Sequence, residues 1–293
     1  MSKKIYRESY KSLIEILKNS EIQEKERKYR EEALNMYYKN MYSKEKFNNE
    51  MLIAFYSHAH EIRSYEFLKK FGKVTPFNDH QHQGGCDFIL NNEYLIECVC
   101  TNEGKTNLSD EIFNTKMDYY NDTNEIIYSR ISSVIFDKLK KYKRDCKKVF
   151  IDSKKPFILF IGLGELAEIT YAGKYGIELN KILIGKGMST TIIDRKSNKV
   201  LYQGYSHINN ILKSRNKKID ACNIFYDDSF SQIDAIILSY STLSTNYNFN
   251  NTFMYFNPKS QRRIKISDFK NMIYWKLKDG YYAPYKNYKQ IYR

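Results

Sequence analysis

Apolar positions along this chain recur at two periods, and the changes of period mark its elements. The first period is helical. Ile5, Leu13, Ile14 and Leu17 make one stripe, and a densely charged stretch runs from about Glu21 to Tyr42. Residues 1–45 therefore read as a helical extension of two amphipathic helices, whose expected role is packing or homodimerisation. A third helix is predicted from about Lys46 to Phe71. Leu52, Phe55, Ala59, Ile62 and Leu68 lie near one of its faces, and Gly72 is its stop signal. The period then shortens. KVTPF, DFIL and YLIECVC are short β-like runs, and NNE between the last two reads as a hairpin turn. A loop rich in Thr, Asn and Gly (101–108) precedes SDEIF, and a long helix is expected from about Asn124 to Cys146.

PFILFIGLG has the continuous apolarity of a strand buried on both faces. TTIID, KVLYQG, IDAIILSYS and NTFMYFNP follow as strands, and Ser267 to Leu277 as a helix. The succession predicts an α/β domain with a mixed sheet over residues 46–293, behind the extension.

Composition is compatible with that picture. The chain has 293 residues, 42% of them hydrophobic, enough for a large core. Four prolines and twelve glycines leave no linker-like stretch. The opening MSKKIYRESYKSL lacks the apolar core of a secretory signal, and the PFILFIGLG run falls far short of the ~20 residues of a membrane helix. A soluble cytoplasmic protein with no membrane partner is expected. Five cysteines (Cys86, Cys98, Cys100, Cys146, Cys222) form no regular framework and suit reduced thiols. Charge changes the picture more. Forty-eight Lys and Arg against 34 Asp and Glu give +14, which favours a polyanionic partner such as nucleic acid. An A/T-rich coding bias would inflate lysine, but it would inflate glutamate as well, so the imbalance survives it.

The candidate chemistry lies in CDFILNNEYLIECVC. Along YLIECVC, Leu95, Glu97 and Val99 share one face and Ile96, Cys98 and Cys100 the other. Asp87 precedes Glu97 by ten residues across the hairpin, so the two carboxylates can converge at one end of a sheet. Hard oxygen ligands beside a basic groove suit Mg²⁺ or Mn²⁺, completed by water and phosphate oxygens.

This spacing resembles the PD-(D/E)XK nuclease superfamily, with its restriction-endonuclease-like fold. Asp87 and Glu97 match its two motif acids, and Glu61, in HEIRSYEFLKKFG, matches the acid on the preceding helix. Two positions depart from the motif: Cys86 stands for the proline and Val99 for the lysine that activates water and stabilises phosphate charge. The long helix offers a substitute. With Ile127 as origin, Ile131, Val134, Ile135 and Tyr142 fall at about 40°, −20°, 80° and 60°, and Lys138 falls at about 20°, inside the apolar stripe. That lysine either snorkels out or is a migrated catalytic lysine. Arg130 and Lys141 flank the same edge and are candidate phosphate contacts.

The chain also looks like a group of bacterial proteins in that superfamily without an assigned substrate. They share a DF…IE(A/C)V hairpin, an R…K helix, an apolar strand after Pro and a late NP segment. CDFILNNEYLIECV, RISSVIFDKLKKY, KKPFILFIG and YFNPKS match in order over about residues 55–265, with Arg130 and Lys138 on the R…K positions. The resemblance implies a metal-dependent phosphodiester hydrolase acting more on DNA than RNA. Asp87, Glu97 and the Cys98 backbone carbonyl would hold Mg²⁺ or Mn²⁺, with Glu61 and Lys138 beside them.

Rival readings follow from other residues. His80, His82, Cys86, Cys98 and Cys100 could form a zinc site, although the cysteines on YLIECVC point away from the acids. His82, with His80, could instead line the mouth of the active site. GLGEL and GKG lack the pattern of a phosphate-binding loop. FNPKSQRRIK is basic, and Lys259, Arg262 and Arg263 are candidates for tracking a nucleic-acid backbone. With Val99 in the motif position, a nuclease fold that only binds nucleic acid is the alternative function. An interaction protein dominated by its N-terminal helices is the third.

Overall fold

The computed structural model describes residues 3–42, 49–76, 85–101, 121–148, 151–164, 166, 179–208, 211–214, 217–219, 223–242, 245–278 and 281–285. Helices α1 (Lys3–Lys18), α2 (Glu24–Tyr42) and α3 (Asn49–Leu68) come first. A 3-10 turn, Lys69–Phe71, ends the third, and Gly72 stops it at φ +145°. Strands β1 (Val74–Pro76), β2 (Phe88–Leu90) and β3 (Tyr94–Cys100) follow, then α4 (Asn121–Lys147) and β4 (Phe157–Gly162). A short helix α5 (Asn180–Ile184) leads into two ribbons, β5 (Lys186–Ile193) with β6 (Val200–His207) and β7 (Ile211–Ser214) with β8 (Lys217–Ile219). The chain closes through β9 (Ala235–Ser239), β10 (Thr252–Phe256), β11 (Ile273–Lys278) and β12 (Tyr281–Tyr285).

Eight strands form one mixed sheet in the order β1-β2-β3-β4-β9-β10-β11-β12. The pairs β3–β4, β4–β9 and β10–β11 are parallel and the others antiparallel. The unbroken apolarity of β4 follows from its place between two cores. Phe157, Leu159 and Ile161 face the α4 side with Ile127, Ile131, Ile135 and Leu139, whereas Ile158 and Phe160 face Phe55, Ala59 and Ile62 of α3. Each such fully buried side chain contributes roughly 1.5–3 kcal/mol by leaving water.

Helices α1 and α2 belong to the second of these cores, because Leu13, Leu17 and Leu34 are buried there beside α3 and the sheet. The predicted apolar stripe is thus covered within the chain, apart from Ile14, which is partly buried, and Ile5, whose side chain lies outside the described residues. Among the described residues, most of the exposed large apolar side chains lie on the β5–β6 ribbon: Ile192, Ile193, Val200, Leu201 and Tyr202. No helix among the described residues is long and apolar enough to cross a membrane.

The helix expected at 267–277 is replaced by a 3-10 turn, Ile266–Phe269, and by strand β11. Asn271 at φ +66° interrupts any helix there. The β-favouring Ile273, Tyr274 and Trp275 then pair in parallel with β10, Trp275 stacking on Tyr255 at 5.8 Å. The SDEIF segment lies outside the described residues.

Gly72 also fixes the hairpin that carries the acids. Asn91, in the β2–β3 turn, donates to the Phe71 carbonyl at 3.1 Å and accepts from the Lys73 amide at 2.9 Å. A Cβ at Gly72 would overlap the Asn91 side chain, at a φ that L-residues rarely adopt. Gly72→Ala should therefore cost about 1–3 kcal/mol in urea unfolding. An unchanged midpoint would show that the hairpin is not held from this side.

Candidate functional site

The NNE turn folds as expected, as a three-residue connection between the paired Leu90 and Tyr94, with Asn91 and Asn92 in the left-handed region at φ +54° and +55°. It sets Phe88 opposite Ile96, and the Asp87 amide donates to the Ile96 carbonyl at 2.9 Å. The two strands differ in length. β2 has three residues and β3 seven, so β3 runs on past the start of its partner.

Backbone direction alternates along that overrun. The amides of Leu95 and Thr101 donate to carbonyls on the β4 side, Pro156 and Gly162. The Ile96 carbonyl and the Cys98 amide instead address the β2 side, where the Cys98 amide donates to Asp87 Oδ2 at 2.6 Å. A strand residue's N–H and C=O point the same way, so the Cys98 carbonyl is directed to the edge where Asp87 sits.

Glu97 projects to the α4 side, as the alternation predicts, and is only 2% exposed. Lys138 donates to its Oε1 at 2.5 Å, and Lys141 donates to Oε1 and Oε2 at 2.8 and 2.9 Å. Lys138 sits as its angle in the apolar stripe requires: its stem crosses the apolar face and its ammonium meets a carboxylate. Val99, on the same face, packs against that core. Arg130 is half-buried, about 12 Å along α4 from Lys138 by helical rise.

Glu61 comes from α3, on the opposite side of the sheet. His60 anchors its helix: Nε2 bonds the Phe160 carbonyl at 2.9 Å, and Nδ1 bonds the Tyr247 hydroxyl. Burial lowers the His60 pKa to about 4, so the ring is neutral. Gly162 makes room for it, since a Cβ there would lie 2.5 Å from His60 Nδ1. This close approach accounts for the first glycine of GLGEL.

Four acids and three bases meet at the edge left by β2. Burial, and then the charge of Glu61, raise the Asp87 carboxyl to about 6, against the opposing pull of Lys138 and Lys141. Burial, and then Asp87, raise Glu97. Burial would lower the Lys138 ammonium, but Glu97 and Asp87 outweigh it and the net direction is up. The fourth acid and third base were not foreseen. Arg30, on α2, donates to Glu61 Oε2 at 2.6 Å and to Glu26 Oε1 at 2.9 Å. The one sequence signal for Arg30 was its i,i+4 spacing from Glu26, which is common on solvated helices.

The remaining candidates separate. Arg262 is internal: it pairs with Asp234 at 2.8 Å, donates to the Tyr142 hydroxyl at 2.6 Å and to the Ser153 carbonyl at 3.1 Å. Lys259 is held by Asp228 and the Tyr226 carbonyl, each at 2.6 Å. Arg263 is exposed and lines an open cleft with Lys265 and Lys276. His80 and His82 lie outside the described residues. Cys86 belongs to the core on the α4 side and Cys98 and Cys100 to the core on the α3 side, so the sheet stands between these thiols of the zinc alternative. Among the described residues, no group of three or more His, Cys, Asp or Glu side chains is arranged to hold a metal.

No family model matches the chain, and no curated protein or solved structure is similar to it.

Proposed function

We propose that this chain is a metal-dependent nuclease that hydrolyses phosphodiester bonds, in DNA by preference, with Asp87, Glu97, Glu61 and Lys138 as its working groups. The observation that carries the reading is the meeting of Asp87, Glu97 and the outward Cys98 carbonyl at one strand edge, with the Lys138 ammonium on Glu97. The +14 net charge suits a polyanionic substrate.

The donors suit a hard cation. Two carboxylates and a carbonyl are oxygen ligands, and Mg²⁺ commonly takes one or two protein carboxylates with water and phosphate oxygens. Both carboxyls are raised by burial and by neighbouring acids, a repulsion that a divalent ion would relieve. A bound Mg²⁺ or Mn²⁺ would lower the pKa of water and neutralise the leaving oxygen. Lys138 keeps an ammonium at the site for charge developing on phosphate, in place of the missing motif lysine. Among the described residues, Glu61 Oε1 takes no partner while Oε2 holds Arg30, so Oε1 can accept from the attacking water.

The first test is cleavage of supercoiled plasmid and of single-stranded DNA and RNA with Mg²⁺, Mn²⁺ or EDTA. Activity should vanish in EDTA and in Asp87→Asn. Activity that persists in both would remove the assignment.

Metal binding should also depend on pH in a definite sense. Protons compete with the ion once pH falls below the Asp87 pKa of about 6. Mn²⁺ at ~100 times its Kd should stabilise the fold by ~2.7 kcal/mol at pH 7.5, and this gain should fade through pH 6. Without metal the sign reverses. A carboxyl whose folded pKa lies above its ordinary value favours the folded state as pH falls through about 6. Thermal melts at pH 5.5 and 7.5, with and without Mn²⁺, read both effects. A pH-independent Mn²⁺ shift would exclude Asp87 as a ligand.

One observation favours a second reading. Both oxygens of Glu97 are already engaged by Lys138 and Lys141, as they would be in a structural triad of a module that binds nucleic acid without cutting it. Salt-sensitive DNA binding with neither cleavage nor metal dependence would establish that module.

A further inference from the structure

We propose that Arg30, on α2, is a positioning residue of the nuclease site, so that this N-terminal helix forms part of the active centre. The inference rests on the nuclease reading. It concerns a residue outside the resemblance, which begins near residue 55.

The geometry is that of a clamp. The Arg30 side chain is 5% exposed and bridges Glu26 on its own helix to Glu61 on α3. Its guanidinium also lies 5.9 Å from the centre of the Phe88 ring, the residue after Asp87. A planar guanidinium gripped by one carboxylate and set against a ring has little freedom, so the Glu61 oxygen that it holds is fixed as well. Glu61 has three side-chain torsions, and without the clamp its free oxygen would sample several directions at the sheet edge. Arg30 also supplies the positive charge on the α3 side of the site, as Lys138 and Lys141 do on the α4 side. Asp87 feels all three cations.

Two consequences separate positioning from mere packing. Loss of the guanidinium releases the Glu61 oxygen that it holds, which misplaces that carboxylate in the chemical step without removing a contact to DNA. In Arg30→Met, kcat should fall at least ~10-fold while KM for DNA changes little. The effect should also run through Glu61. Arg30→Met added to Glu61→Gln should lower kcat less than 2-fold beyond Glu61→Gln alone, the non-additivity of residues acting as one unit.

Arg30 is buried between acids, so a second variant guards against misfolding of Arg30→Met. Arg30→Lys keeps the charge but loses the fork. It should still lower kcat ~3- to 10-fold, because an ammonium cannot hold Glu26 and Glu61 in the fixed geometry of the planar group. The assay is plasmid cleavage by the full chain with Mg²⁺ over a range of DNA concentrations, alongside Mn²⁺ titration by electron paramagnetic resonance. A wild-type chain that does not cut would defeat the nuclease reading itself. A cutting wild type whose folded Arg30→Met or Arg30→Lys variant matches its kcat would overturn the role of Arg30 alone.

Discussion

Lys138→Met should lower Mg²⁺-dependent cleavage by about 10²- to 10³-fold, the range typical for losing one preorganised donor to a developing oxyanion. Methionine matches the lysine stem, which crosses the apolar face of α4 among Ile131, Ile135 and Tyr142, so little packing is lost. What disappears is the ammonium 2.5 Å from Glu97. Mn²⁺ affinity should hold or improve, because Glu97 loses a competing cation. That combination, poorer chemistry with undiminished metal binding, separates a catalytic lysine from a structural one. A purely structural Lys138 would lower the melting temperature and leave the rate per folded molecule unchanged. Lys141, within 2.9 Å of both Glu97 oxygens, can cover part of the deficit. The double variant Lys138→Met/Lys141→Met should therefore fall further than either single one. Val99 shares the Glu97 face of β3, so Val99→Lys in the Lys138→Met background would return an ammonium to the motif position and should recover at least ~10-fold. Single-turnover plasmid cleavage beside Mn²⁺ titration reads every arm.

Arg262→Ala should produce the largest loss of stability, about 3–5 kcal/mol, because it strands a buried carboxylate. Asp234 is fully buried, accepts from the Phe157 amide at 2.6 Å and pairs with Arg262. The guanidinium also ties the FNPKSQRRIK segment to the end of α4 through Tyr142 and to the loop before β4 through the Ser153 carbonyl. Burial raises the Asp234 carboxyl while Arg262 pulls it down. Removing Arg262 therefore raises it further, so the folded variant takes up a proton at higher pH than wild type. The sign follows: the loss is full at pH 7.5 and shrinks as pH falls and Asp234 is neutralised. Urea unfolding at pH 7.5 and 5 measures it. DNA binding per folded molecule should be unchanged, whereas a role on the nucleic-acid backbone would weaken binding in high salt without touching stability.

The contrast between Lys138 and Arg262 shows what a sequence can expose. Lys138 stood out because it broke a pattern. A cation in an apolar helical stripe has to find a partner, and the nearby strand offered Glu97. Arg262 broke nothing. It sits in a run of basic residues, and no local rule separates a cation reaching for phosphate from one folded back onto Asp234, 28 positions earlier. Arg30 was hidden for the same reason, because its partner Glu61 lies 31 positions away on another helix.

By itself, the chain determined most features that depend on neighbours a few positions apart, the helix expected at 267–277 excepted. These are the helical and strand periods, the Asn91–Asn92 turn, the two-sided burial of β4, the face carrying Glu97 and the angle of Lys138. Such features follow from steric and hydrogen-bonding limits that act locally. Only the folded arrangement decided which charges meet. It wrapped α1 and α2 into the α3-side core, turned residues 273–278 into a strand beside β10, drew Arg262 inward and brought Arg30 to Glu61. Those outcomes depend on burial, and whether a charge must be paired is settled only when distant segments together exclude water from it.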